Sequence, residues 1–485
     1  MNPFATLDAV RRDYRTYVET FQRFRNDRIR AWVGERSQSG ELLWKPPLVE
    51  INRRFARGEP LPSLAKRGVV HADAPPVFRA RDANGKLVSD RAPVPLHAHQ
   101  SAAVSAVLEQ QRNVIVATGT GSGKSFCFAI PIVSECLRLR RAGVAGVKAL
   151  IVYPMNALAN SQYRDLAERL AGTGLTLARY TGDTKRTREE ALAAYRETFG
   201  EDQPFDSELI DRESIQATPP DILMTNYVQL ELLLTRLEDQ RIFRPEHRGA
   251  LRFLVLDELH TYGGKRGADV ALLIRRLKHR TGTAGALRCI GTSATMQSEA
   301  GEDADAAAAT FASKLFGEPF DASSVIRETE EDLPDVELAP LPADVTVTRQ
   351  DLDAIDPGDL ATAAPLVAAL TGRTPSPAEL TPGGLGVLLA SQPTLRFLER
   401  ELRGKPVALD ALATRYVESL RPGVGPSVAQ LELEAALLLG MAAHSPGADG
   451  QLAPRLVAKA HGFFTQGRVL AGCLGPDCGY LSDRG

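Results

Sequence analysis

The chain has 485 residues, 44% hydrophobic and 24% charged. That length fits about three domains of ~150 residues, so filling a core is not its difficulty. A net charge of −2 excludes a global basic field, and any hold on nucleic acid must come from local patches or oriented backbone dipoles.

The N-terminus, MNPFATLDAVRRDYR, has no apolar signal region, and nowhere does an apolar run approach the ~20 residues that span a bilayer. The expectation is a cytoplasmic protein with no membrane partner. From Leu7 to Phe24 apolar residues recur in steps of three and four at Leu7, Val10, Tyr14, Tyr17, Phe21 and Phe24, which marks one face of a helix. Arginines surround that face, and two readings stay open: a nucleic-acid surface or a solvated polar side. Leu42 to Val94 is rich in proline and glycine and reads as an irregular lead-in packed on the next domain.

A helix is expected from Leu96 through Leu108, carrying His97, His99 and Gln100. The Gln100 amide has a donor and an acceptor suited to an adenine edge. The two histidines have no carboxylate or cysteine nearby, which argues against a metal site. Val114 to Ala117 is an apolar strand, followed by TGTGSGKS over Thr118 to Ser125 and then by a helix from Phe126. Strand, glycine-rich turn and helix in that order aim backbone N–H groups and a helix N-terminus at one anion. Thr120, Gly121, Ser122, Gly123, Lys124 and Ser125 are the expected ATP-binding residues. Gly121 and Gly123 allow positive φ, Lys124 supplies charge to the phosphates, and the Ser125 hydroxyl can ligate Mg²⁺. Thr118 stands where the strict pattern has glycine.

Further strands are expected at Ala149 to Tyr153, Leu175 to Tyr180, Asp221 to Thr225, Phe253 to Leu256 and Arg288 to Gly291, with a helix over Asn156 to Leu170 and another capped by Asn226. Short continuous apolar strands alternating with helices imply an α/β fold, a parallel sheet covered by helices on both faces. Every polar motif follows a strand, so these residues should share the sheet's carboxyl edge, where ligands bind in such folds. Asp257 and Glu258, after the Phe253 to Leu256 run, have the chemistry to hold Mg²⁺ and to polarise an attacking water. Lys265 and Arg266, beside Gly263 and Gly264, read as a basic flexible loop, either solvated or touching nucleic acid.

Gln100, TGTGSGKS, YPMNALANSQ (Tyr153 to Gln162), YTGD (Tyr180 to Asp183), TNY (Thr225 to Tyr227), DELH (Asp257 to His260) and TSAT (Thr292 to Thr295) resemble, in order and spacing, the motifs of superfamily 2 helicases of the DEAD/DEAH type. The stretch LDELHTYGGKRGADVALLIRRLK is similar to MrfA/YprA-like DNA helicases and to the large phage-defence helicases of the Druantia and DISARM type. The resemblance implies a RecA-like ATP hydrolase acting on single-stranded or duplex DNA, with RNA not excluded. It assigns adenine to Gln100, phosphates and Mg²⁺ to Lys124 and Ser125, the metal to Asp257 and water activation to Glu258. His260 would link that site to the coupling residues Ser293, Ala294 and Thr295. Pro154, Asn156, Ala157, Thr181, Gly182, Asp183, Thr225 and Asn226 would line a nucleic-acid track. Leu259 is the single departure in DELH, and an apolar one.

A motor of this type needs a second sheet domain that brings arginines to the γ-phosphate, and no Q-x-x-G-R-x-x-R pattern follows Thr295. The expected partition is 1–94 accessory, 95–325 RecA-like, 326–460 helical accessory, and 461–485 the start of a cysteine-containing segment leading to a missing second motor domain. Leu366 to Leu370, Leu385 to Leu389 and Leu431 to Leu439 are the clearest apolar segments of the helical region. Cys473 and Cys478 could give zinc two of its four ligands, the others lying in a longer chain. The competing reading is a regulatory ATP- or nucleic-acid-binding subunit without motor work; a DNA-repair helicase is the alternative biological role.

Overall fold

The computed structural model describes residues 3–21, 26–39, 43–45, 47–51, 55–82, 85–87, 92–119, 121–154, 156–293, 304–331, 335–343, 345–356, 358–402, 406–446, 452–461, 471–472 and 481–482. The chain forms two compact units, Phe55–Asp332 and a discontinuous one that joins Met1–Arg54 to Leu333–Gly485.

The first unit is built on eight parallel strands: β1 (Val114–Ala117), β2 (Ala149–Tyr153), β3 (Leu177–Tyr180), β4 (Glu208–Leu209), β5 (Ile222–Asn226), β6 (Phe253–Leu256), β7 (Arg288–Ser293) and β8 (Val325–Arg327). Their order across the sheet is β4-β3-β5-β2-β6-β7-β1-β8, all neighbours parallel. Ala149, Ile151 and Tyr153 of β2 enter one core, with Val255 and Met224, while Leu150 and Val152 enter the other, with Leu254 and Leu223. Both faces are therefore covered, and the strands read as unbroken apolar runs because alternate residues serve opposite cores.

The lead-in belongs to this unit from Phe55 onward. Leu61, Leu64, Val69, Val70, Val77 and Phe78 sink into the same core as helices Ala98–Leu108 and Lys124–Arg141. The expected boundary at residue 94 is thus not where the chain divides, because those side chains have nowhere else to bury. Cys127, Cys136 and Cys289 are buried free thiols.

The second unit packs helices Ala364–Thr371, Pro382–Leu388, Pro393–Glu401 and Leu409–Ser419 against helix Pro426–Ala442. Leu48–Ile51 pairs antiparallel with both Val407–Ala408 and Ala458–His461. This pairing ties the N-terminus to residues beyond 400, which local periodicity cannot foresee. The helix Pro3–Phe21 does not bury its apolar stripe as expected: Val10 is 45% and Tyr17 62% exposed, and Phe4 is the residue that reaches the core. Charges are buried here in closed sets. Arg421 pairs with Glu432, which also accepts from the Tyr416 hydroxyl at 2.8 Å, and Glu399 takes both Arg396 and Arg455. Among the described residues no helix is long and apolar enough to cross a membrane.

At the centre of the sheet, Leu259 is fully buried over β7, and a Cβ on Gly291 would lie 2.2 Å from Leu259 Cδ1. The leucine of DELH is accommodated by the glycine on the neighbouring strand. Gly291→Ala should lower stability by about 1–3 kcal/mol through overpacking. In the double variant, Leu259→Ala should return part of that loss. Urea unfolding of the four chains measures the coupling, and strictly additive losses would contradict the contact.

Candidate functional site

After β1 the chain curls through Thr118 to Gly123 and enters helix Lys124–Arg141 with Gly123 as its N-cap at φ 74° and Gly121 at φ 81°. Only glycine takes these left-handed angles without cost, and both glycines are exposed, leaving the helix N-terminus open to an anion. The turn is braced from inside. Ser122 Oγ donates to Gly119 O at 2.9 Å, so Thr118 Oγ1, 2.7 Å from Ser122 Oγ, is the donor between the two hydroxyls. Gly119 N–H donates to Glu328 Oε2 at 2.7 Å. Thr120 lies outside the described residues.

Gln100 does not present its amide to a ligand in this structure. It is 2% exposed, its Nε2 donates to Gly123 O at 3.0 Å, and its Oε1 accepts from His97 N–H at 2.9 Å. A Cβ on Gly123 would lie 2.5 Å from Gln100 Nε2, so the close fit of glutamine and glycine shapes the loop from behind. His99 does similar work, its Nε2 lying 3.0 Å from Ser122 O, which requires the Nε2–H tautomer. The His97 and His99 rings stack at 5.6 Å with Phe55 edge-on to both. Burial holds His99 below the usual histidine range and, with the His99 and Arg57 charges, brings His97 down to about 4.

The acids stand at the end of β6, and β7 lies between that strand and β1. Asp257 is 6% exposed and accepts a short hydrogen bond from the Thr292 hydroxyl, which in turn accepts from Glu258 N–H at 3.2 Å. Burial pushes the Asp257 carboxyl up, and Glu258 beside it adds to the rise, partly offset by the Thr292 bond and Lys124. Such a carboxyl gains most from a cation placed against it. Glu258 has φ 51° and ψ 60°, a left-handed conformation that costs a non-glycine residue about 1–3 kcal/mol. That turn aims its side chain back across β7, where Oε1 lies 3.4 Å from Lys124 Nζ. Its Oε2 is 3.3 Å from His260 Nδ1 but without hydrogen-bond geometry, and it is buried with no donor among the described residues. Ser293 Oγ lies 3.4 Å from His260 Nδ1. Ala294 and Thr295 lie outside the described residues.

Lys265 and Arg266 are not in a flexible loop: both are exposed in the first turn of helix Gly264–Thr281. The helix starts this early because Gly264 takes φ 58° and Gly267 lets the backbone close on Tyr262 O, where a Cβ would lie 2.1 Å away.

The expected track residues follow three adjacent strands, β3, β5 and β2. Asn156 and Ala157 open helix Asn156–Leu170, and Pro154 ends β2 half-buried. Gly182 and Asp183 are exposed. Thr181 is 3% exposed, and its Oγ1 has no partner among the described residues. Thr225 turns inward, donating to Tyr180 O at 2.7 Å, and Asn226 caps helix Tyr227–Thr235 by accepting from Gln229 N–H at 2.8 Å. Thr225 thus ties two strand ends together, and Asn226 fixes the start of the following helix. Sequence reasoning missed Arg212, whose guanidinium donates to Thr184 O at 2.8 Å and Thr181 O at 3.3 Å and lies 5.3 Å over the Tyr180 ring. It also missed Thr292 as the hinge between the two acids. Arg212 carries no local signal, and Thr292 was read within TSAT without its bonds to the acids, which run across strands. Cys473 and Cys478 lie outside the described residues, among which no group of metal-ligating side chains occurs.

An all-parallel sheet whose carboxyl edge carries a glycine loop, its lysine and a strand-end acid pair defines a RecA-like P-loop nucleotide-binding domain. Residues 97–303 match the DEAD/DEAH box helicase family. Over 98% of its length the chain is 26% identical to Druantia protein DruE of Escherichia coli strain UMEA 4076-1, of which it spans 30%. Over 39% of its length it is 30% identical to the ATP-dependent helicase Lhr-Core of Methanothermobacter thermautotrophicus strain Delta H, of which it spans 20%. It is also similar to a crystal structure of the DUF1998 helicase MrfA bound to DNA, with 23% identity and a TM-score of 0.39 over 59% of this chain and 30% of that one. The chain thus spans under a third of each of these relatives.

The histidines under the loop make its stability depend on pH. Below about 6.5 the unfolded chain takes up protons that the folded His97 refuses until about 4, so stability is full at neutral pH and is lost as the pH falls through that window. Thermal melts between pH 7 and pH 4.5 should show the parent losing more than a His97→Gln variant. Parallel loss in the two would contradict a neutral buried His97.

Proposed function

We propose that this chain holds the first RecA-like domain of a cytoplasmic, ATP-dependent DNA helicase or translocase. The observation that carries the reading is the approach of Lys124 to Glu258, 3.4 Å apart across β7, which gathers loop and acids into one site. Lys124 would leave Glu258 for the β and γ phosphates, the loop amides from Gly121 onward would wrap them, and Glu258, so released, would orient the attacking water. The Glu258 carboxylate has a buried oxygen without a donor among the described residues, so a lone pair is available to accept from a water. Ser125 and Asp257 would hold Mg²⁺, and the buried, acceptor-only Asp257 fits that ion. When bound, the metal neutralises charge developing on the phosphates. Gln100 and His99 would act through the loop that they brace. His260, between Glu258 and Ser293, would pass the state of the site to Ser293, Ala294 and Thr295.

Pro154 to Ala157, Thr181 to Asp183 and Thr225-Asn226 would form the edge that meets one DNA strand, through loop amides rather than net charge. A second RecA-like domain, in a longer chain or a partner subunit, would close the cleft and add the arginine worth about 10³–10⁵ in rate in comparable NTPases. Cys473 and Cys478 would give zinc two ligands in that longer chain. The similarity to Druantia protein DruE along nearly the whole chain favours phage defence over repair as the biological role.

ATP turnover, with and without single-stranded DNA, tests the reading. Lys124→Ala should lose nucleotide binding. Glu258→Gln should keep or tighten binding, since Lys124 loses its resident anion, while turnover falls about 10²–10⁴-fold. A Glu258→Gln chain that hydrolyses ATP at the parent rate, together with no response to DNA, would favour a binding subunit without motor work.

A further inference from the structure

Among the described residues strand β8 lies at the sheet edge and pairs with the strand that feeds the phosphate loop, Val325 opposite Ile115 and Arg327 opposite Ala117. This register carries the next residue, Glu328, to the first turn of the loop, where Oε2 accepts from Gly119 N–H at 2.7 Å. The carboxylate is not on a loose tail. On one side Arg327 Nε donates to Asp305 at 2.8 Å; on the other Ala56 N–H donates to Thr329 O at 2.8 Å, and Glu330 bridges to Phe55. Phe55 in turn packs on His97 and His99, and His99 braces the same loop from behind.

A loop that must hold a polyanion therefore already carries a fixed anion on one of its own amides. The two effects of that carboxylate have opposite signs. As an acceptor it satisfies an N–H that glycine leaves exposed and fixes the turn. As a charge it opposes the incoming phosphates through a partly buried region where screening is incomplete. A neutral acceptor would supply the first effect without the second. Resting on the reading of Thr118 to Ser125 as a nucleotide loop, we propose that Glu328 is a positioning residue that holds the loop's entry turn through Gly119 and weakens its grip on nucleoside triphosphate. Product and substrate are then released and exchanged more readily than a loop of this shape alone would allow.

Titration of the full chain with a fluorescent ATP analogue, at about 50 mM and about 500 mM salt, separates the two effects. Glu328→Gln keeps the acceptor and removes the charge, so it should bind the analogue about 3- to 10-fold more tightly than the parent at low salt. The gap should narrow at high salt, a response that a merely structural role would not give. Glu328→Ala loses the acceptor as well and should bind less tightly than Glu328→Gln; if it fails to fold, the glutamine variant alone carries the test. Equal binding by parent and Glu328→Gln, or weaker binding by the variant, would overturn the proposal. If Lys124→Ala does not reduce the parent's binding, the nucleotide loop itself has been misread, and the proposal goes with it.

Discussion

The contact on which this structure turns is the one between Lys124 and Glu258, a lysine that opens the helix after the β1 loop and a carboxylate from the end of β6 that meet at 3.4 Å over the intervening strand. Left-handed backbone leads to both, and only Glu258 bears its cost. Lys124 follows two glycines in left-handed conformations, and Glu258 takes a left-handed conformation without being glycine. Strain of that kind persists only where the surroundings fix it, and here they do. The Glu258 amide is held by Thr292, Thr292 also holds Asp257, and Leu259 is locked against Gly291. The lysine's present partner is a protein anion, and under the proposed function a phosphate would take its place.

Around this contact lies a shell whose members touch the loop and not the ligand. His99 and Gln100, from one helix, and Glu328, just past β8, reach the main chain of Ser122, Gly123 and Gly119. A phosphate cradle needs its amides held open before the ligand arrives, because an unbraced glycine turn would lose much of its binding energy to ordering. The same logic holds at the far end of the edge, where Arg212 gathers the carbonyls of Thr181 and Thr184.

The sheet and the nucleotide loop were legible in the sequence because buried parallel strands read as apolar runs and each polar motif follows one of them. The six long strands fall where those runs predict. The two edge strands, Glu208–Leu209 and Val325–Arg327, were not legible, since two or three residues carry no pattern. With β8 went Glu328, whose role depends on register alone. Gln100 was read from its amide chemistry as facing a base, but burial turns the amide onto the loop. The second unit was the least legible part. Its helices could be read from their leucines, but the pairing of Leu48–Ile51 with Ala458–His461 joins residues some 400 positions apart, and no local property announces it.

The most direct test of this account is a structure of the chain with Mg²⁺ and a non-hydrolysable ATP analogue. The account predicts that Lys124 Nζ leaves Glu258 for the phosphates and that the metal sits between the Ser125 hydroxyl and the Asp257 side. A nucleotide found elsewhere, with Lys124 still paired to Glu258, would contradict it.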